Sequence, residues 1–405
     1  MQHPRGAVSP FLLVPASVVA WLGVVATAYR LRGRLYATFA FVLLGIHTAL
    51  SAAMLPAFAR FWPVFAYLQL ATYLHFVFLV YPRMRGLAYR ALVSMPASFF
   101  VAGTFLSLPW ALLAALGVRL PLPWLPYALA MVGLLQSLFA FESEHDVSLD
   151  GEIVEEVRPI PHGSLRVDRP LRVVQISDPH LGPFMSVKKL AAICARAIAR
   201  DPDLVLLTGD FLTMESQSDP RLLHDALAPL AALRGKVFAC FGNHDHEAPE
   251  IVRAALAAHG IILLVDDSAV VDTPVGKLQI VGMDFSFRDR EARLRAACRR
   301  HPRIPGVTRL VMLHDPGAIH ALPEGEGDLV FSGHTHGGQV GLLSLGLPWT
   351  FLRLFGNRMP DHGFWGRGRD RLWVHRGTGH YGFPLRLGVP AEQSLLRVHF
   401  PKPAG

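Results

Sequence analysis

The sequence predicts two structural classes in one chain: an all-α membrane bundle over residues 1–141 and an α/β domain over residues 171–400, joined by a linker and edge strand at 142–170. Three observations carry this expectation. The 405 residues are 52% hydrophobic and only 17% charged, with mean hydropathy +0.34, too apolar for a wholly water-soluble chain. In the first third, the apolar residues gather into runs of membrane-spanning length. Beyond residue 170 the pattern changes to short apolar strands alternating with amphipathic helices, the rhythm of an α/β domain with a buried sheet.

The apolar runs are Phe11–Ala28, Tyr36–Ala59, Phe61–Tyr81, Ala91–Val118 and Leu122–Phe141. Each is near the ~20 residues a helix needs to cross ~30 Å of hydrocarbon. The fourth is long and holds Pro96 and Pro109, which predict a kink or a re-entrant turn, so the bundle has four or five helices. The first run lacks a small-residue cleavage site and more runs follow, which argues against a removable leader. Arginines give the orientation. Arg30, Arg32 and Arg34 mark the first loop and Arg83, Arg85 and Arg90 the third, against Arg60 alone in the second and Arg119 alone in the fourth. The positive-inside rule places the first and third loops in the cytoplasm. Five spans then leave the C-terminal domain of a multi-pass cell-membrane protein on the cytoplasmic side, and four would place it outside. His47, Gln69, His75 and Gln136 lie within the runs without ligand spacing, and are read as helix-packing or interfacial groups. Trp21, Trp62, Trp110 and Trp124 suit interfacial anchoring.

The net charge of +8 is mostly arginine. It fits membrane topology and anionic lipid partners. No basic patch interleaved with aromatics stands on the soluble part, so no nucleic-acid partner is expected. Cys194, Cys240 and Cys298 are odd in number, widely spaced and without a Cys-x-x-Cys, which predicts buried thiols and leans towards a reducing compartment.

In the second half, Glu152–Val157 alternates as an edge strand and is broken by Pro159, Pro161 and Gly163. Leu171–Ile176 is a strand that runs into Ser177-Asp178-Pro179-His180, and Val187–Ala199 a helix. Leu204–Leu207 is a buried strand ending in Thr208-Gly209-Asp210, followed by helix Arg221–Leu233. Lys236–Phe241 is a third strand ending in Gly242-Asn243-His244-Asp245, followed by helix Ile251–His259. Strands are expected at Ile261–Leu264 and Leu278–Val281, then a helix at Ala292–Arg299. Arg309–Leu313 ends in His314, Leu329–Phe331 leads into Gly333-His334-Thr335-His336-Gly337-Gly338-Gln339, and Leu372–His375 and Leu395–Phe400 close the domain.

Five expected strands thus end in residues able to ligate a metal: Asp178 and His180, Asp210, Asn243 with His244, His314, and His334 with His336. In open α/β sheets ligands collect at these carboxyl ends. Hard oxygen plus imidazole, without thiolate, suits Mn, Fe, Zn or Co better than an all-oxygen calcium cage. A shared aspartate would let two ions approach to about 3.5–4 Å, the spacing used in two-metal phosphate ester hydrolysis.

Asp178-Pro179-His180, Gly209-Asp210, Gly242-Asn243-His244-Asp245, His314 and Gly333-His334-Thr335-His336 occur in the order of the calcineurin-like metallophosphoesterases, which the chain resembles over roughly residues 147–400. The resemblance implies a β-sandwich flanked by helices and a metal-dependent phosphoric ester hydrolase, either a phosphodiesterase or a pyrophosphatase. It assigns Asp178, His180, Asp210 and His336 to a first metal, and Asp210, Asn243, His314 and His334 to a second. It makes His244 the residue that protonates or stabilises the leaving group. Two divalent ions are expected, manganese first, with iron, zinc or cobalt as alternatives. Pro179 stands where relatives often carry leucine, and removes no ligand.

The longer Gly-His-Thr-His-Gly-Gly-Gln form, with the N-terminal runs, resembles the membrane-associated bacterial branch. Some of its members hydrolyse UDP-diacylglucosamine in lipid A synthesis. The expected function is therefore hydrolysis, at a membrane, of a phosphodiester or pyrophosphate bond in a phosphate ester such as a nucleotide-linked lipid. A broad phosphoesterase of soluble substrates and a non-catalytic membrane sensor are the alternatives. His244 needs a proton to serve as an acid, and Asp245 beside it is read either as its carboxylate partner or as a turn residue.

Two segments hint at substrate. Val340–Phe355 is apolar without strand alternation, and Arg353, Arg358, Arg367, Arg369 and Arg371 lie in or after it. It reads either as a lip for acyl chains, with arginines meeting phosphate or anionic lipid, or as a packed insertion. The glycine-rich Arg376–Gly388 is a candidate pocket wall.

Overall fold

The computed structural model describes residues 12–354, 359–380 and 385–401, and two compact units divide the chain, one built chiefly from residues up to Gln136 and one from Ser137 onward. Phe11, Phe355, Arg358 and residues 381–384 of the glycine-rich segment lie outside the described residues.

In the first unit, helices Leu13–Arg32 and Arg34–Met54 are parted by Gly33, whose φ of 88° disfavours any residue with a side chain. Pro56 lies in the first turn of the 3-10 segment Leu55–Phe61, and Pro63 in that of helix Trp62–Leu79, where a missing N–H costs little. The fourth run breaks around its prolines. A π-turn at Arg90–Ser94 precedes Pro96, and helix Met95–Leu106 yields at Ser107 to Leu108–Ala115, with Pro109 in its first turn. Three helical stretches, Leu13–Arg32, Arg34–Leu79 and Leu87–Leu106, are long and apolar enough to cross a membrane. The second has 46 residues and takes in both the second and third runs.

The fifth run departs from expectation. Its helix, Leu125–Ser137, has 13 residues, about 20 Å at 1.5 Å per residue and short of ~30 Å of hydrocarbon. Ala140 and Phe141, at the end of that run, belong to a strand instead. His47 packs between helices: its Nε2 lies 3.2 Å from Gln69 Oε1, and Gln69 Nε2 donates to Tyr73 Oη at 2.8 Å. Gln69 thus links His47 to Tyr73, as polar groups in an apolar surrounding require.

The second unit holds thirteen described strands: β1 (Ala140–Ser148), β2 (Val154–Pro159), β3 (Leu171–Ile176), β4 (Leu204–Leu207), β5 (Val237–Ala239), β6 (Ile262–Leu263), β7 (Asp267–Thr273), β8 (Gly276–Gly282), β9 (Thr308–Met312), β10 (Leu329–Ser332), β11 (Gly363–Gly368), β12 (Asp370–Val374) and β13 (Ala391–His399). They form two mixed sheets, ordered β1-β13-β3-β4-β5-β6 and β2-β11-β12-β10-β9-β8-β7. Period-two alternation explains why they stack. Leu204, Leu206, Leu310, Met312, Leu329 and Phe331 point into one shared core between the sheets. The intervening Val205 and Leu207 face helices Val187–Ala199, Pro220–Leu227 and Pro249–Ala258 on the outer side of the first sheet. Val311 and Val330 meet helix Arg290–Arg300 outside the second. The three cysteines are free and buried.

Most strands fall where the sequence places them, and three do not. The stretch read as linker supplies β1, whose acidic residues hide the strand pattern. Its charges are answered by Arg196 on Glu142, Arg200 on Glu144 and Arg397 on Asp146, and it pairs in parallel with β13. β11 reads as a loop because three of its six residues are glycine. β7 forms the outer edge of its sheet and buries no residue fully.

Candidate metal centre

β3, β4 and β5 run parallel in one sheet, and β9 and β10 run parallel in the other. Every candidate ligand leaves the carboxyl end of one of these five strands. The two sets of loops bring ligating atoms of Asp178, His180 and His336 within 4.8 Å of one another, and those of Asp210, His314 and His334 likewise. In the first group His336 Nε2 is 3.4 Å from Asp178 Oδ1 and 3.2 Å from His180 Nε2. In the second, His314 Nε2 is 3.2 Å from Asp210 Oδ2. The same Asp210 oxygen lies 3.7 Å from His180 Nε2, so this carboxylate faces both groups.

The local backbone is bent to achieve this. Asp178, His180, Asp210, His334 and His336 all adopt left-handed φ angles, between 44° and 68°. Such residues cost about 1 kcal/mol or more each outside glycine, and strain of this kind concentrates at functional sites. Hydrogen bonds hold the bends. The His334 N–H donates to both Asp178 oxygens at 3.0 Å, and the His244 N–H to Asp210 Oδ1 at 2.9 Å. Asp245 accepts from the N–H groups of Gly242, Asp210 and Phe211 at 2.7, 2.7 and 2.8 Å. Two glycines leave room for the carboxylates: a Cβ on Gly333 would sit 2.2 Å from Asp178 Oδ2, and one on Gly242 2.2 Å from Asp210 Oδ1.

These residues fit a pair of divalent cations. Two carboxylates and four imidazoles converge without a thiolate, the donor set of borderline and hard first-row ions. Asn243, next in sequence to His244, whose N–H binds Asp210, has a buried Oδ1 that accepts no hydrogen bond, so a carbonyl lone pair is left for a cation. Burial keeps three imidazoles neutral, hence able to ligate. It lowers the pKa of His180 to about 3, that of His334 to about 4, and that of His336 well below the histidine range. Burial also pushes Asp178 up to about 6, a cost that a cation would remove. For His314 burial works against charge, but Asp210 outweighs it and raises the imidazole to about 10, so these two form an ion pair when nothing else binds.

His244, expected to serve the leaving group, stands at the same mouth, its ring 5.6 Å from that of His180. Of the two readings of Asp245, the structure favours the turn residue. Asp245 is occupied by three backbone donors, and Glu247 Oε1 meets His244 Nδ1 at 2.9 Å. Burial opposes charge on His244, yet the Glu247 contact and the field of Asp210 raise its pKa above the ordinary value. The signal was the spacing: Asp245–Glu247 is a helical turn, which puts residues three apart on one side.

Two further residues went unseen. Phe285 packs against His314 and His334, with ring centroids at 6.2 and 6.0 Å. Arg386, fully buried, has Nη1 on the His336 carbonyl at 3.3 Å and Nη2 at 3.2 Å from His336 Nδ1, and also donates to the carbonyls of Gly377 and Gly379. The glycine-rich segment does wall the centre, since Thr378 and Gly379 donate N–H groups to the carbonyls of Ser177 and Asp178 at 2.8 and 2.9 Å. The arginines offered as phosphate ligands are mostly committed elsewhere. Arg353 pairs with Asp361, Arg367 with Asp370 and Arg371 with Asp150.

Comparisons with known proteins agree with this geometry. Residues 171–338 match the family described as calcineurin-like phosphoesterase. The chain is similar to phosphodiesterase YaeI of Escherichia coli, 28% identical over 56% of this chain and 82% of that one. It is similar to UDP-2,3-diacylglucosamine pyrophosphatase LpxG of Chlamydia muridarum, 28% identical over 56% and 83%. A transmembrane protein with a metallophosphoesterase domain from Danio rerio is 29% identical over 55% of this chain and 52% of that one.

Proposed function

Residues 171–338 belong to the calcineurin-like phosphoesterases, which makes the chain a metal-dependent phosphoester hydrolase, and on that premise we propose a membrane-anchored enzyme that cleaves a phosphodiester or pyrophosphate bond in a nucleotide-linked lipid of the UDP-diacylglucosamine kind. The observation that carries the proposal is the pair of buried donor groups facing one carboxylate, Asp210. In this reading Asp178, His180, Asp210 and His336 hold one ion, and Asp210, Asn243, His314 and His334 the other. Manganese is the first choice, with iron, zinc or cobalt as alternatives. When bound, the ions supply an activated water and neutralise charge on the phosphate oxygens.

The chain's own groups do the rest. Asp245 fixes the Gly242–Asp245 turn and so aims Asn243 and His244. His244, whose protonated form Glu247 and Asp210 favour, gives its proton to the departing oxygen. The N-terminal helices anchor the enzyme as a multi-pass protein of the cell membrane. A cytoplasmic catalytic domain, given the arginine-rich first and third loops, requires the short Leu125–Ser137 helix to complete a fifth crossing; the LpxG similarity supports a lipid substrate.

Full-length protein loaded with Mn should hydrolyse an activated phosphodiester, and Asp210→Asn should abolish that activity and lower the bound metal below two ions per chain. Inactivity with Mn, Fe, Zn and Co alike would instead favour a membrane sensor. Cleavage of soluble esters with no turnover of a lipid extract would favour a broad soluble-substrate enzyme.

A further inference from the structure

A loop that the metal ligands do not use follows directly on the histidine segment. Leu342 N donates to Trp349 O at 2.8 Å and Phe351 N to Val340 O at 2.7 Å, which closes residues 342–349 into a projection. Its tip is the 3-10 turn Leu343–Leu345, ended by Gly346 at φ 76°. The backbone is therefore ordered by its own hydrogen bonds, yet large apolar side chains remain well exposed. Leu342, Leu345, Leu347, Trp349, Phe351 and Leu354 are 42–73% exposed. Single exposed apolar residues are ordinary, but six so close together mark an interaction surface. A second exposed aromatic lies near the same histidines: Phe287 is 77% exposed and stacks edge-on, at 4.5 Å, on Phe285, which contacts His314 and His334.

The occupant follows from chemistry and from the rest of the chain. Residues 337–360 contain no aspartate or glutamate, so nothing in this stretch repels an anionic lipid surface. Leucines with a tryptophan suit the zone between headgroups and acyl chains. The same chain carries three helices long and apolar enough to cross a bilayer, so the domain that bears this loop is tethered to one in the hydrolytic reading above. We propose that the Leu342–Leu354 loop and Phe287 form an apolar rim that enters the acyl layer of the bilayer, where it takes the hydrocarbon of a lipid phosphoester whose phosphate reaches the metal centre. The proposal rests on the hydrolytic reading above and adds to it the residues that select a lipid.

The test uses the full chain in nanodiscs of anionic lipid. Because Cys194, Cys240 and Cys298 are buried, a polarity-sensitive dye can be placed on Leu345→Cys, with Lys277→Cys, on the exposed start of β8, as reference. Spin-labelled acyl chains should quench the dye at 345 and not at 277. Independently, the triple variant Leu345→Ser, Leu347→Ser, Trp349→Ser should lose at least ~10-fold more kcat/KM on a lipid phosphodiester than on a water-soluble one, the equivalent of one large apolar contact. An unquenched dye at 345, or equal losses on the two esters, would overturn the rim. Shielding of that dye without lipid, rising with protein concentration, would assign the surface to a second copy and also overturn it. A wild type that cleaves neither ester defeats the hydrolytic reading, while the quenching still decides the rim.

Discussion

Replacing Glu247 with glutamine tests how His244 obtains its proton. The substitution keeps the shape of the side chain and removes a negative charge 2.9 Å from His244 Nδ1. The contact is only partly shielded, with 20% of the His244 side chain and 40% of that of Glu247 exposed, so solvent screening limits its worth. Exposed pairs contribute about 0.2–1 kcal/mol, and the upper end suits a histidine that is mostly covered. About 1 kcal/mol is up to a ~5-fold loss in the protonated fraction of His244 on the alkaline side. The sign is fixed by the direction of the shift. Glu247 helps raise the histidine pKa, so its loss makes the proton leave at lower pH.

With Mn bound, kcat/KM for a diester with an alkoxide leaving group should fall up to ~5-fold in Glu247→Gln at alkaline pH and little at acidic pH. A diester that releases p-nitrophenolate, which departs without a proton, should show a much smaller fall. Equal losses on the two leaving groups, or a loss independent of pH, would refute the assignment of His244 as acid and Glu247 as its partner.

Two other outcomes follow from the fold. Gly333→Ala would place a Cβ 1.9 Å from Ser177 Oγ and 2.2 Å from Asp178 Oδ2; Mn affinity measured by equilibrium dialysis should drop by at least ~10-fold, as expected when a ligand is displaced. Glu392, 2% exposed, accepts from Arg376 Nε at 3.0 Å; burial opposes its charge, but Arg376 and His145 hold its pKa well below 4.5. Its stabilising contribution is therefore complete above pH 4.5 and is lost as pH falls through the lower folded value. Glu392→Gln should lower the thermal midpoint at neutral pH, since removing one partner strands the Arg376 charge at a cost of about 3 kcal/mol, and should lose less further stability on acidification than the wild type.

Much of the centre was legible because metal ligation needs particular residue types at strand ends. Asp178, His180, Asp210, His314, His334 and His336 each follow a short apolar run, and the parallel strands of two sheets carry them to their carboxyl ends. Where a strand departs from that pattern it escaped notice. β1 alternates charge instead of apolarity, and β11 is half glycine. The fifth apolar run misled for the converse reason, since hydropathy alone does not separate the end of a helix from the start of a strand at Ala140.

The sequence by itself determined the class of each half, the ligand types and the strands that bear them, because residue chemistry and short-range periodicity are properties of the chain read in order. Tertiary structure decided the partners. It gave His244 to Glu247 and left Asp245 to three backbone donors; it set Arg386 behind His336; it tied Arg353, Arg367 and Arg371 into ion pairs and left Leu345 and Trp349 uncovered. Hydrogen bonds and burial depend on distances through space, and only the closing of two sheets over a common core sets those distances.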